Sequence, residues 1–84
     1  MYAIEFTKEA RKALLKMPRH ASDLVLDKVR GLARDPFSAA QVKKLVGVPG
    51  YRLRVGDWRV IYEVKSQRLV VHVLRIGARG GVYE

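Results

Sequence analysis

The chain has 84 residues, 49% of them apolar and 30% charged, a balance that excludes a disordered chain and leaves room for one small domain over residues 1–84. It has no cysteine and two histidines, which excludes a disulfide framework and the common structural zinc sites. Seventeen Lys and Arg against eight Asp and Glu give a net charge of +9. Such a field favours nucleic acid or an acidic protein as a partner, although a soluble protein can be basic without one.

A short strand and a helix are predicted at the start of the chain. Apolar residues alternate with small or polar ones over Tyr2–Phe6, the period of a strand. Thr7 can cap the following helix, and Glu9 would lie in its first turn, where the helix dipole favours an anion. The apolar positions of this helix recur at helical spacing: Ala10, Ala13, Leu14 and Met17.

A second helix follows almost at once. Pro18 ends the first helix and can begin the next, and Asp35-Pro36 stops the second. The residues expected to be buried in it are Ala21, Leu24, Val25, Val29 and Leu32. Two amphipathic helices with so short a turn between them form an antiparallel hairpin. Its basic outer residues are interpreted as a solvated face: Arg11, Lys12, Lys16, Lys28 and Arg30.

After a connector over residues 36–50 the hydrophobic period changes to two. Three strands are predicted, over residues 51–55, 58–64 and 69–76, with tight turns at Gly56-Asp57 and Ser66-Gln67. The fold class is therefore α+β, in the order β-α-α-β-β-β, with the helical hairpin packed on one face of a mainly antiparallel sheet.

The Gly56-Asp57 turn predicts which residues share a face. A two-residue turn sets Val55 opposite Trp58 and Arg54 opposite Arg59. One set should then face the helices: Leu53, Val55, Trp58, Val60 and Tyr62. The other face should carry Arg52, Arg54 and Arg59.

A two-residue turn at Ser66-Gln67 would extend this register to the last strand. It sets Val60 opposite Val73 and Arg59 opposite Leu74. Val71 and Val73 then join the core, while the arginine side receives Val70, His72 and Leu74.

Opposed arginines destabilise an antiparallel pair, and Glu63 is the one nearby acid that this register places on their face. Uncompensated cations on neighbouring strands favour a site for an external anion. The alternative is an exposed face that is merely soluble; the use of arginine throughout, rather than mixed Lys and Glu, counts against it.

Several kinds of catalytic chemistry are not supported. The chain has no Cys nucleophile and no metal-ligand spacing, and neither His20 nor His72 is predicted to lie beside a carboxylate that could form a triad with it. No serine lies in a nucleophile-elbow context. The glycine-rich segment 77–81 lacks the Lys-Ser/Thr ending of a phosphate-binding loop. No metal and no cofactor are therefore expected.

Two long stretches resemble a known family. Residues 44–64, which include Pro49-Gly50-Tyr51-Arg52-Leu53-Arg54-Val55-Gly56-Asp57-Trp58-Arg59, look like the central strands of RelE-family toxins. Residues 73–79 followed by Val82-Tyr83 look like that family's last strand and tail, and Asp35-Pro36 after two helices also matches. The resemblance covers nearly the whole chain.

The resemblance implies a toxin of a type II toxin–antitoxin system that cleaves messenger RNA in the ribosomal decoding site. The expected partners are mRNA, the A site of the 70S ribosome and a RelB-like antitoxin. The implied reaction is metal-free: the ribose 2′-OH attacks the adjacent phosphate and the 5′-OH leaves. Such a step needs a base, cations around the phosphorane and an acid for the leaving oxygen.

The same resemblance implies roles for individual residues. Arg52 and Arg54 stand where the family has two lysines, Arg59 matches an arginine that holds the scissile phosphate, Arg79 one that stabilises the phosphate or leaving group, and Tyr83 a tyrosine that stacks on the nucleotide. The implied catalytic set is Arg52, Arg54, Arg59, Arg79 and Tyr83. The implied RNA-binding set is Lys43, Lys44, Arg52, Arg54 and Arg75.

Two features depart from the family pattern. Arginine stays protonated and is a poor general base, so Arg52 and Arg54 are expected to act electrostatically. The base is not identified in the sequence. The tail is short, with Gly80-Gly81 before Tyr83, which leaves open whether this tyrosine takes part in catalysis.

Two other functions remain open at this stage. One is a ParE-like toxin that inhibits DNA gyrase by binding it; the other is a non-catalytic nucleic-acid-binding homologue. An acidic or amphipathic antitoxin segment is expected to cover the arginines and an exposed strip at Val70 and Leu74. The N-terminus does not resemble a signal peptide and no apolar run approaches the roughly 20 residues of a membrane span, so the cytoplasm is the expected location.

Overall fold

The computed structural model describes residues 1–78. The elements are β1 (Ala3–Phe6), α1 (Lys8–Lys16), α2 (Arg19–Gly31), β2 (Val42–Lys44), β3 (Tyr51–Val55), β4 (Trp58–Lys65) and β5 (Val70–Ala78). The strands form one sheet in the order β1-β5-β4-β3-β2, in which β1 and β5 are parallel and the other pairs antiparallel. The predicted α+β class is confirmed. The connector was expected to lack a strand, but it contains β2, a short edge strand.

Thr7 joins the first strand, the first helix and the last strand. Its hydroxyl accepts a hydrogen bond from the Ala10 amide (3.1 Å), as a helix cap does, and donates one to the Leu74 carbonyl (2.7 Å). Its amide also donates to the Val73 carbonyl (2.9 Å). The predicted cap is confirmed, and it fixes the start of α1 against β5.

The core lies between the helical hairpin and one face of the sheet. The fully buried side chains of that core include Val25, Val29, Val60 and Tyr62. Leu24 was expected to be buried, but it is 49% exposed. The residues of α2 that are buried against the sheet are Ala21, Val25 and Val29, which are four residues apart. Leu24 lies to one side of this row.

Tyr62 ties the connector to the sheet. Its hydroxyl donates a hydrogen bond to the Pro36 carbonyl (2.6 Å), and its ring stacks on Tyr51 at 5.6 Å between centroids. Burial raises the pKa of the Tyr62 phenol well above its ordinary value, because the charged form would lose its hydration. Asp35 is the residue before Pro36. Hydrogen bonds from the amide and the hydroxyl of Ser38 hold the pKa of the Asp35 carboxyl below its ordinary value.

The first hairpin has the predicted register. Gly56 adopts φ +59° in the two-residue turn, and Val55 pairs with Trp58, Arg54 with Arg59 and Leu53 with Val60. Positive φ at this place is the conformation that such hairpin turns require, and glycine adopts it without steric cost.

The register predicted for the second hairpin is wrong. Its turn has four residues, 66–69, so Lys65 pairs with Val70. A shift between Ile61 and Tyr62 then moves the pairing by one more residue, so Val60 lies opposite Ile76 and Arg59 opposite Gly77. Val71 and Val73 pair before this irregularity, where the register differs from the predicted one by two residues. A shift by two residues keeps the faces unchanged, so both valines are core residues as predicted.

None of the helices within residues 1–78 is long and apolar enough to span a membrane.

Candidate nucleic-acid interface

The sheet face opposite the helices carries the arginines that the sequence singled out. Arg52, Arg54 and Arg59 alternate along β3 and β4 with the buried core residues Leu53, Val55 and Val60. They therefore point away from the helices. We call this surface the arginine face, and its residues fall into three rows that run across the strands.

The middle row contains Lys43, Arg52, Ile61 and Arg75. Lys43 on β2 pairs with Arg52 on β3, Arg52 with Ile61 on β4, and Ile61 with Arg75 on β5. Directly opposed residues of neighbouring strands have Cβ atoms about 5 Å apart. Three cationic residues thus lie on either side of one apolar side chain.

The second row contains Arg54, Arg59 and Gly77. Arg54 is exposed and lies directly opposite Arg59, which is half-buried and has Gly77 on its other side. Nη1 of Arg59 donates long hydrogen bonds to the carbonyls of Gly56 (3.4 Å) and Trp58 (3.3 Å). An arginine has five N–H donors, and the remaining donors of Arg59 have no partner among residues 1–78. They are available to an anion above the face.

Ile61 forms the floor of the arginine face. It is only 6% exposed although it lies outside the core that the helices cover. Arg52 beside it is half-buried, and its Nε atom is shielded from solvent. Arginine can place its stem along apolar surface and keep its guanidinium tip accessible. An apolar floor with cations around it lowers the local dielectric and strengthens the attraction for an anion.

The third row was not foreseen from the sequence. His72 on β5 pairs with Glu5 on β1 and with Glu63 on β4. Val71 and Val73 on either side of His72 are fully buried in the core, so the imidazole lies on the arginine face. His72 therefore has a carboxylate on each neighbouring strand, a placement that the sequence did not predict. A parallel pairing of β1 and β5 is the feature that brings Glu5 here.

The two lysines predicted to bind RNA lie on opposite faces of the edge strand β2. Lys43 lies in the middle row, whereas Lys44 pairs with Tyr51 and so has the register of the helix-covered face. Both line a shallow cavity of about 410 Å³ at the sheet edge together with Arg52. The exposed loop residues Val46 and Val48 complete its wall. Lys43 is thus the lysine that continues the arginine face.

Arg75 lies at the border of the face. Its Nε atom is 3.8 Å from a carboxylate oxygen of Glu9 in the first turn of α1, and both side chains are more than half exposed. An exposed ion pair of this length contributes little to stability.

One predicted surface feature is absent. Val70 was expected to form an exposed strip with Leu74, but it is 8% exposed and Leu74 is half-buried. β1 is hydrogen-bonded alongside Val70 and shields the strand there. Arg79 and Tyr83, which the sequence also placed in the site, lie outside the described residues.

The arrangement suits a phosphate more than a metal. Residues 1–78 contain no group of three His, Cys, Asp or Glu side chains placed to hold a metal ion. The cations are arginines and a lysine on two adjacent rows about 7 Å apart along the strands. Guanidinium groups bind phosphate oxygens through paired hydrogen bonds, so the face can hold a phosphodiester and stabilise charge that develops on it.

The chain is similar in sequence and in fold to known proteins. The sequence is 26% identical to the toxin RelG of Mycobacterium tuberculosis over 83 residues, which is 98% of this chain and 95% of RelG. The fold is similar to the archaeal RelE–RelB complex of Pyrococcus horikoshii, with 32% identity, a TM-score of 0.81 and coverage of 95% of this chain and 97% of that one. It is also similar to the RelBE2 toxin–antitoxin complex of M. tuberculosis, with 27% identity, a TM-score of 0.82 and coverage of 93% and 98%.

The fold and these relatives define a toxin of a type II toxin–antitoxin system, in the RelE/ParE superfamily. The profile of the family described as "ParE toxin of type II toxin-antitoxin system, parDE" matches residues 4–83. The chain belongs to that family.

Proposed function

We propose that the protein is a ribosome-dependent endoribonuclease that cleaves messenger RNA by attack of a ribose 2′-OH on the adjacent phosphate. The observation that carries this proposal is the pairing of Arg54 with Arg59 beside the Lys43–Arg52 pair on one open face. Like charges across neighbouring strands destabilise a sheet, and a bound phosphodiester would neutralise them.

The residues have separate roles in this mechanism. Arg59 holds the scissile phosphate through the donors that remain after its two bonds to the turn. Arg52 and Arg54 stabilise the negative charge of the phosphorane, since guanidinium does not lose its proton. Arg79 would stabilise the leaving group and Tyr83 would stack on a base, as the family resemblance implies for these two residues.

The proposed macromolecular partners follow from the openness of the face. A shallow cationic surface binds RNA through phosphates but cannot by itself force a 2′-OH into line for attack. We therefore assign the positioning of the mRNA to the A site of the 70S ribosome, which also places the toxin in the cytoplasm. Lys43, Lys44 and Arg75 would add phosphate contacts at the edges of the face.

A cognate antitoxin is the second proposed partner. The similar structures from M. tuberculosis and P. horikoshii are complexes of a toxin with its antitoxin. A protein with a net charge of +9 is best covered by an acidic segment, because electrostatic complementarity speeds association and fixes the orientation of the partners. A RelB-like antitoxin would inhibit cleavage by covering the arginine face.

One observation favours a second function. The matching family is the one named for ParE, and ParE-like members inhibit DNA gyrase without cleaving RNA. In that case the arginine face would be a binding surface only. A non-catalytic protein that binds nucleic acid would use the same phosphate contacts without toxicity.

One experiment separates the three functions. The toxin is induced without its antitoxin, and the ends of messenger RNA on translating ribosomes are mapped. We expect cuts within codons that disappear in Arg59→Ala. Growth arrest with intact messages and a DNA-damage response would support gyrase inhibition and contradict the proposal. Absence of toxicity would support the non-catalytic protein.

A further inference from the structure

The geometry points to His72 as the group that takes the proton from the attacking 2′-OH. This inference rests on the proposed endoribonuclease activity and supplies the base that the arginines cannot provide, since guanidinium stays protonated. The observation that carries it is the position of His72 between Glu5 and Glu63, in a row that adjoins the cationic rows on the same face of the sheet.

Ile61 is the centre around which the candidate groups are arranged. Along β4 it has Arg59 two residues before it and Glu63 two residues after it. Across the strands Arg52 lies opposite it, and His72 lies diagonally opposite because it pairs with Glu63. Diagonal neighbours in a sheet are about 7–8 Å apart at Cα, a distance that a nucleotide phosphate and its ribose can bridge.

The cations and the imidazole approach this centre from opposite sides. Arg54 and Arg59 lie one row towards the Gly56 turn, and His72 lies one row in the other direction. A phosphate above Ile61 can contact the arginines while the ribose that carries the attacking hydroxyl extends over His72. Gly50 comes just before β3 and lies beside Glu63, since a Cβ atom on it would be 3.7 Å from Cγ of Glu63. It has no side chain that could block the ribose.

His72 is better placed than Glu63 to accept the proton. A carboxylate oxygen of Glu63 is bound by Nζ of Lys65 at 3.1 Å, on the side away from Ile61. This contact occupies one of the two carboxylate oxygens of Glu63. His72 is half-buried, and among residues 1–78 its imidazole has no hydrogen bond or ion pair. Imidazole is also the side chain that most often serves as a general base in proteins.

The charged neighbours of His72 come from several strands. Glu5 faces it from β1 and Glu63 from β4, while Val70 and Leu74 are the nearest residues of β5 on the same side. The cations of the adjoining row are Arg75 on β5, Arg52 on β3 and Lys43 on β2. Carboxylates thus face His72 from both neighbouring strands, whereas the arginines lie in the rows on the other side of Ile61 or level with it.

The step balances without a further reactant. An imidazole nitrogen of His72 removes the proton of the 2′-OH as the 2′-oxygen forms a bond to phosphorus. The bond from phosphorus to the 5′-oxygen breaks, and the 5′-oxygen takes a proton from water. The imidazolium then returns its proton to solvent. The products are a 2′,3′-cyclic phosphate and a 5′-hydroxyl end.

The test is single-turnover cleavage of mRNA in the ribosomal A site by the full-length toxin and its His72→Ala variant. We expect the variant to be slower by about 10²- to 10⁴-fold, as for loss of a general base. The rise of the rate with pH that a general base confers should disappear in the variant. Added imidazole should restore part of the rate in His72→Ala but not in Arg59→Ala. Because His20 is exposed at the start of α2, His20→Ala serves as the matched control and should cleave like the wild type.

Each result has one interpretation. Cleavage by His72→Ala at the wild-type rate would overturn the role of His72 and leave the endoribonuclease proposal intact. A slower variant that keeps the wild-type pH profile and does not respond to imidazole would also overturn it, since its defect would be structural. Thermal unfolding of the variant measures such a defect directly. Absence of cleavage by the wild type would overturn the proposed function itself, and this inference with it.

Discussion

Arg54 and Arg59 lie directly opposite each other on β3 and β4, on the face that the helices leave uncovered. The Gly56-Asp57 turn enforces this pairing, because a two-residue hairpin loop fixes the register of the strands that it joins. The pair therefore carries an electrostatic cost in the free protein that a phosphate would remove.

Arg54→Thr is expected to stabilise the free protein. The substitution removes a like-charge pair and keeps a residue suited to strands, and such pairs are worth about 0.2–1 kcal/mol. Urea denaturation at low salt measures the gain, which should shrink at 1 M salt because the repulsion is screened. Arg68→Thr, in the exposed four-residue turn, is the control for loss of one positive charge. A destabilised Arg54→Thr variant would contradict the repulsion.

Lys43 and Lys44 should differ in their contribution to RNA binding. Lys43 lies in the row of Arg52, whereas Lys44 has the register of the opposite face. Loss of one phosphate contact to single-stranded RNA reduces the slope of log K against log salt by about 0.7. We expect that reduction for Lys43→Ala and a smaller one for Lys44→Ala, measured by binding of a short RNA at several salt concentrations. Equal slopes for the two variants would mean that the edge cavity, and not the face, binds RNA.

Gly50→Ala is expected to destabilise the sheet. Gly50 has φ +116°, and a Cβ atom there would lie 2.9 Å from the backbone oxygen of Tyr62. Backbone strain of this kind costs on the order of 1–3 kcal/mol, and the contact with a main-chain atom adds to it. Chemical denaturation compares the variant with Gly31→Ala at the end of α2, where a Cβ meets nothing within 4 Å. Gly31→Ala should be neutral or slightly stabilising; equal losses in both variants would contradict the argument.

Tyr62→Phe should cost about 1–3 kcal/mol, because it leaves the Pro36 carbonyl without its hydrogen bond in a buried place. Tyr51→Phe is the matched control, since the Tyr51 hydroxyl has no hydrogen bond among residues 1–78. Thermal or urea unfolding measures both. If the two variants lose the same free energy of unfolding, the hydrogen bond to Pro36 does not anchor the connector.

The same tyrosine predicts a dependence on alkaline pH. The pKa of Tyr62 is raised in the folded protein, so its contribution to stability is complete below the ordinary tyrosine pKa of about 10 and is lost as the pH rises above it. The free energy of unfolding should therefore fall more steeply above about pH 10 in the wild type than in Tyr62→Phe. Parallel curves would contradict the cause assigned to the shift.

Local sequence signals predicted part of this site. The period of two and the Gly56-Asp57 turn were enough to place Arg52, Arg54 and Arg59 on one face, because both signals act over a few residues. They failed at the second hairpin, where Leu69 adopts φ +54° in a four-residue turn and an irregularity follows between Ile61 and Tyr62. Neither feature has a glycine or proline to mark it.

The third row depends on pairings that no local pattern reveals. Glu5 and His72 are 67 residues apart in the chain and lie side by side only because β1 pairs with β5 in parallel at the edge of the sheet. The edge strand β2 was missed for a related reason: three residues, two of them lysines, are too few to show alternation. Tertiary pairing, rather than propensity, creates both features.

Cleavage of a defined mRNA on purified 70S ribosomes tests the central claim most directly. The wild-type toxin should cut the message in the A site and leave a 5′-hydroxyl end. Arg59→Ala should slow this step by about 10²- to 10³-fold, as loss of one group that stabilises a developing charge does. Arg34→Ala, an exposed arginine after α2, should cut at the wild-type rate. An uncut message with the wild-type protein, or full activity in Arg59→Ala, would contradict the account.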